Sequence, residues 1–168
     1  MRKIISNPNI VIFSALLFAG FACWLGQDSL TGFGVAQGPS LCGGDCESAK
    51  VILGGLHAIE CEIADTPEER ATGLMDRETL EQDYGMLFVY KSKGAHPFWM
   101  KNTRVPLDII WVDADMKIAH IEQASPCETE TCETYEADRP TLYTIETNAG
   151  FCEKNGIAEG DSVNIILQ

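Results

Sequence analysis

Positive charge is scarce in this chain. Across 168 residues, 12 Lys and Arg stand against 25 Asp and Glu, a formal net charge of −13 at pH 7. A surface of that sign repels nucleic-acid phosphates and anionic lipid, so nucleic acid is excluded as a partner. Signatures of common enzymes are missing too: there is no Gly-x-Ser-x-Gly elbow, no helical His-Glu-x-x-His and no Gly-rich phosphate loop. The acidic run 128–138 lacks the alternation of acid and glycine that a calcium loop requires. Neither close cysteine pair has the two-residue spacing of a thioredoxin-type redox motif. No cofactor is expected from these features, and no internal repeat or low-complexity tract is visible.

What is present begins at the N-terminus. Arg2 and Lys3 precede an uncharged run, Ile4 to Gln27, whose dense apolar part spans residues 10–26. A helix of about 17 apolar residues is just long enough to cross a bilayer, and basic residues ahead of it stay inside. The expected organisation is a cytoplasmic N-terminus (1–9), a transmembrane anchor or uncleaved signal (10–26), a flexible tether (27–50) and an extracytoplasmic β domain (51–168). Cleavage after the small residues Gly34 to Ala36 would instead give a secreted domain. Six cysteines follow the apolar run, an even count in a segment expected to lie outside the cytoplasm. Cys42 with Cys46, and Cys127 with Cys132, are the disulfide candidates; Cys61 and Cys152 are either a third pair or two buried thiols. The same four closely spaced cysteines would also suit a tetrahedral zinc ion.

Along the domain, residues 57–64 alternate, with Ile59, Cys61 and Ile63 on one face and Glu60 and Glu62 on the other, which predicts a half-buried strand. Thr66, Pro67 and Glu69 then form the start signal of a short helix, with a capping box. An apolar strand follows at Met86 to Tyr90. The stretch Phe98 to Asp115 reads as two strands meeting at a bend, the second being Leu107 to Val112. Asp113, Ala114 and Asp115 turn the chain into a hairpin partner, Met116 to Gln123. Pro126 to Pro140 is a long surface loop, Leu142 to Thr147 a strand, and Ala149 to Asn155 a short helix capped by Asn148 and closed by Gly156. Val163 to Leu167 is the last strand. The expected class is α+β, mainly β: a small antiparallel barrel or rolled sheet of about six strands with two short helices.

Two constellations stand out as chemistry. Asp108 lies between Leu107 and Ile109 in an apolar strand, where a carboxylate must find a partner; Arg70, Arg77, Lys101 and Arg104 are the available bases. It is either a general base or a structural ion pair that fixes the bend. Trp99, Lys101, Asn102, Thr103 and Arg104 could hold an anionic or sugar-like ligand through charge, amide and hydroxyl donors, with stacking on the indole. Between Tyr84 and Leu107 the chain carries four bases and no acid, which in so acidic a domain favours an anion there. Met75, Met86 and Met100, with His57, His96 and His120, contain copper-ligand chemistry without a metal motif's spacing, and core packing explains the methionines better.

The run from Glu62 to Met75, then Gly85-Met86-Leu87-Phe88, then Phe98 to Thr103 with Pro106-Leu107-Asp108, closely resembles the family known as domain of unknown function 192. Gly156-Ile157 and Gly160-Asp161 match as well, so the resemblance covers roughly residues 57–168. It implies a compact, mostly β domain, often secreted or membrane-anchored in prokaryotes, and brings no established activity. The functional expectation is therefore a membrane-anchored extracytoplasmic domain that binds an anionic small molecule, glycan or envelope component at the bend. The alternatives are a hydrolase or lyase with Asp108 as general base, and a structural accessory of an envelope protein complex.

Overall fold

Short, largely apolar strands form the core of this fold, and the computed structural model describes residues 4–5 and 47–168. The elements in order are β1 (Ile4–Ile5), β2 (Ser48–Leu53), β3 (His57–Ala64), α1 (Pro67–Thr72), β4 (Tyr84–Gly94), β5 (Phe98–Trp99), β6 (Leu107–Val112), β7 (Ile118–Ala124), β8 (Thr134–Tyr135), β9 (Thr141–Asn148), α2 (Phe151–Asn155) and β10 (Val163–Leu167). One sheet runs in the order β1-β10-β2-β3-β4-β9-β6-β7, and β5 pairs with β8 in a separate two-stranded ribbon. The expected anchor (10–26), most of the tether and the pair Cys42 and Cys46 lie outside the described residues. Among the described residues no helix is long and apolar enough to cross a membrane.

Several expectations need correction. The sheet is not a closed antiparallel barrel. It is open and mixed, because β3 and β4 run parallel while their neighbours are antiparallel. The connection over residues 65–83, which contains α1, is long enough for the crossover that parallel pairing demands. At the two ends of the sheet, β7 and β10 meet only at a corner: Ile118 N–H donates to Asp161 O, Gly160 N–H to Ile118 O and Val163 N–H to Met116 O. The rest of β7 stays an edge, while the outer side of β10 pairs with Ile4 and Ile5. The domain also begins earlier than residue 51, since Ser48 to Lys50, expected in the tether, form the start of β2. Its alternation of inward Ala49, Val51 and Leu53 is the signal that the nearby glycines obscured. At the bend β5 and β6 meet without pairing, because β5 pairs with β8 from the long loop.

The corner contact curls the sheet and gives it two unlike faces. On the concave side, Val163 and Ile165 of β10 share one core with Ile110 and Val112 of β6, Leu87 of β4 and Ile145 of β9. Phe151 and Cys152 of α2 plug this core, and Cys61 and Cys152 are both buried as free thiols. On the convex side Phe88, Leu107, Ile109 and Trp111 pack with Leu74, Phe98 and Met100 from the connections. The chain around α1 and the β5 ribbon thus roofs the convex face over β4, β9 and β6.

The capping box forms as the sequence implies: Glu69 N–H donates to Thr66 Oγ1, and Glu69 Oε2 accepts from the Thr66 N–H. The second helix is held differently. Asn148 belongs to β9 and its amide donates to Leu80 O and Glu81 O. The capping acceptor comes from another strand: Asp108, 2 % exposed, takes the Gly150 N–H at 3.0 Å and the Cys152 N–H at 2.9 Å, with Gln123 Nε2 at 3.3 Å. This carboxylate therefore fixes α2 against β6, and none of the four expected bases bonds to it.

Replacing Asp108 with Ala would leave two inward N–H groups without acceptors, a loss of about 3 kcal/mol or more. Urea unfolding of Asp108→Ala should show that loss, and Asp108→Asn, which keeps one oxygen, should lose less. Gly85 makes a second test. A Cβ there would stand 2.3 Å from Glu146 O, so Gly85→Ala must push β4 off β9 and lower the melting temperature.

Candidate functional site

The bend is set by local backbone geometry. Asn102 adopts a left-handed conformation (φ 58°), Thr103 N–H closes a turn onto Met100 O at 3.2 Å, and the Asn102 carbonyl accepts from Asp76 N–H at 2.8 Å. Alternation along β5 then sends Phe98 and Met100 into the core and turns Trp99 outward, 51 % exposed. Phe98 meets Phe88 edge-on at 4.8 Å and Trp111 at 5.9 Å, which locks the ribbon down beside the indole.

Beneath Trp99 lies a small cleft of about 30 Å³. Its walls are Arg70 to Met75, Phe88, Phe98, Trp99 and Thr103, and at its floor is Glu146 of β9. Gly73 keeps it open: with φ 49° it ends α1, and a Cβ in its place would approach Phe88 Cζ to 3.3 Å and Glu146 Oε2 to 3.9 Å. Glu146 is 5 % exposed, and burial alone pushes its carboxyl up to about 8. Among the described residues it has neither a hydrogen bond nor an ion pair. A buried carboxyl in that condition is mostly protonated at neutral pH, and can donate as well as accept.

The one guanidinium in the wall is already committed. Arg70 donates to Asp65 O and Val89 O and sits 5.3 Å over the Tyr90 ring. His96 stacks on that ring at 3.4 Å; burial lowers its pKa, and so favours a neutral imidazole. The Tyr90 hydroxyl is pushed up to about 12 by burial, with Arg70 opposing the shift and Glu146 adding to it.

Of the residues singled out from the sequence, the structure brings Trp99 and Thr103 into this cleft. Lys101 sits beside it, bridged by its backbone to Cys127, and Asn102 serves the turn. Arg104 faces outward to Asp76 at 3.5 Å and Glu78 at 3.2 Å, so the expected basic patch is partly neutralised by acids from the α1–β4 connection. Asp108 points to the opposite face of the sheet. The Sγ atoms of Cys127 and Cys132 lie against each other, and Cys42 and Cys46, the rest of the candidate zinc set, lie outside the described residues. No three His, Cys, Asp or Glu side chains among the described residues converge for a metal. Glu146 is not among the residues singled out from the sequence, and Arg70 is named there only as a possible partner of Asp108. Glu146 stands between Ile145 and Thr147, which gives its position no local mark of burial.

Comparison with solved structures gives two relatives of known fold. A protein of unknown function from Novosphingobium aromaticivorans DSM 12444 is 32% identical with a TM-score of 0.63, over 81% of this chain and 99% of that one. A protein from Sinorhizobium meliloti 1021, described provisionally as a transcription regulator, is 33% identical with a TM-score of 0.62, over 70% of this chain and 91% of that one. No curated protein matches the chain. The family model described as "Uncharacterized ACR" matches residues 49–165. Three of the four sequence blocks that resemble this family, around Arg70 to Met75, Phe88 and Phe98 to Thr103, meet at the cleft. The chain therefore belongs to the family of domain of unknown function 192.

Proposed function

We propose that this is a membrane-tethered domain, outside the cytoplasm, that binds a glycan end or a similar small envelope component in the cleft beneath Trp99. The observation that carries the reading is Glu146: a buried carboxyl with no partner of its own, reached from solvent past an exposed indole. Buried polar groups in proteins are almost always bonded, so one that opens onto a cleft takes its partner from water or from a ligand that displaces it. The cavity's size limits what enters. About 30 Å³ admits one small polar group, of the volume of a water or two, so a ring would lie outside on the indole and insert a single substituent.

An anionic ligand has less support than the sequence suggested. Arg104 is paired with acids and Arg70 donates to backbone carbonyls, so neither guanidinium is left over for an anion. Trp99 and Thr103 are the ligand contacts we retain, with Lys101, Asn102 and Arg104 as the outer margin. A hydrolase or lyase is the second reading, favoured by the raised pKa of Glu146, which suits proton transfer near neutral pH. In it Glu146 takes the role first considered for Asp108, whose two oxygens are occupied by α2 and Gln123. The loop closed by Cys127 and Cys132 holds β8 against β5, a staple suited to an oxidising compartment.

Binding is tested by a thermal-shift screen of the purified full-length chain against neutral sugars, sugar acids and phosphates. A ligand at a hundredfold excess over its dissociation constant stabilises the fold by about 2.7 kcal/mol. A neutral sugar should give the shift, and Trp99→Ala should remove it; a shift confined to sugar acids or phosphates would refute the reading.

The proton on Glu146 gives an independent prediction. Its pKa rises from 4.5 to about 8 on folding, so the folded state holds a proton that the unfolded state releases between those values. The protonated form is the stabilised one: stability is full below about pH 4.5 and falls as pH rises toward 8, by an amount on the order of a few kcal/mol. His96, lowered on folding, works in the opposite direction near its ordinary value. The difference between wild type and Glu146→Gln isolates the carboxyl. Glu146→Gln should become relatively more stable as pH rises from 5 to 8, and parallel melting curves across that range would contradict the assignment.

A further inference from the structure

We infer that the group received by the cleft is a primary ammonium, and that the ligand is an amino sugar; this rests on the reading of the cleft as a binding site. The first ground is the unmet chemistry of Glu146. A buried carboxyl is stable either as a neutral acid or as an anion with a cationic donor at hydrogen-bond distance. Neither guanidinium nearby bonds to Glu146: Arg70 donates to Asp65 O and Val89 O, and Arg77, in the adjoining groove, to both oxygens of Glu62 at 2.7 and 2.6 Å. The missing partner is a cation of about the size of a water molecule, since the cavity beside the carboxyl is about 30 Å³. An ammonium fits that volume and brings three donors, where a hydroxyl brings one.

The second ground is the field at the cleft's mouth. Thr72 and Gly73 also form the wall of a larger groove of about 410 Å³ that runs past Glu62, Glu68 and Glu69. Glu69 is held by its capping box and Glu62 by Arg77, while Glu68 has no ion pair among the described residues. The approach to Glu146 from that side is thus negative and favours a cation over a neutral or anionic group. The third ground is the exposed Trp99 beside the opening. It offers an apolar face of ring size, which selects a sugar carrying the ammonium over a bare alkylamine.

The test uses the full-length chain at pH 7 with D-glucosamine, D-glucose, N-acetyl-D-glucosamine and n-butylamine, read by calorimetric titration. Glucosamine should bind at least about tenfold more tightly than glucose, N-acetylglucosamine or butylamine, as a charge-assisted bond added to ring stacking requires. Glu146→Gln should remove the preference for glucosamine over glucose. Equal binding of the three sugars would overturn the ammonium assignment while the cleft stands as a sugar site. Butylamine binding as tightly as glucosamine would overturn the sugar. No binding by any of the four would overturn both this inference and the function proposed above. The wild-type comparison decides the matter even where the Glu146 variant fails to fold.

Discussion

A sheet covered on both faces gives a side chain on its inner strands no water to turn to, and that constraint governs β4, β9 and β6. α2 and the concave core cover one face, and the α1 segment and the β5 ribbon cover the other. Any polar group on these strands must find its partner inside the protein or do without. Asp108 and Glu146 show the two outcomes. They lie on adjacent strands, Glu146 being paired in register with Ile109, yet they point to opposite faces. Asp108 is met by two backbone N–H groups and an amide. Glu146 is met by a cavity.

The two carboxyls do different work as a result. Asp108 supplies to α2 the cap that its own Gly150 cannot, and so holds the plug of the concave core in place. Its surroundings leave no room for a substrate. Glu146 carries a cost of burial that the fold does not offset, and strain of that kind is retained where a site needs a group ready to bond. The surrounding devices all serve access to it. Gly73 withholds a side chain, Gly85 lets β4 approach β9 closely, and the Asn102 turn presents Trp99 beside the opening.

Electrostatics changed most between one dimension and three. Along the chain, the segment around Lys101 and Arg104 is basic against an acidic background. In the fold, Asp76 and Glu78 arrive from the connection after α1 and take up Arg104, while Arg70 turns to backbone carbonyls and an aromatic ring. The negative field of the domain therefore extends to the groove beside the cleft.

What the sequence by itself determined follows from local rules. Period-two alternation placed β3, short apolar runs between turn residues placed β6, β7, β9 and β10, the capping box placed α1, and the Asp113 turn placed the hairpin between β6 and β7, because each depends on residues a few positions apart. The importance of the bend was legible too, from an indole and a polar cluster on an apolar run. Only the tertiary structure decided that β3 and β4 run parallel, that β5 leaves β6 for β8, and that Asp108 faces α2 while Glu146 faces Trp99. Those outcomes depend on which distant segments share a face of the sheet. A carboxyl in a strand reads the same along the chain whether folding brings it three hydrogen-bond donors or none.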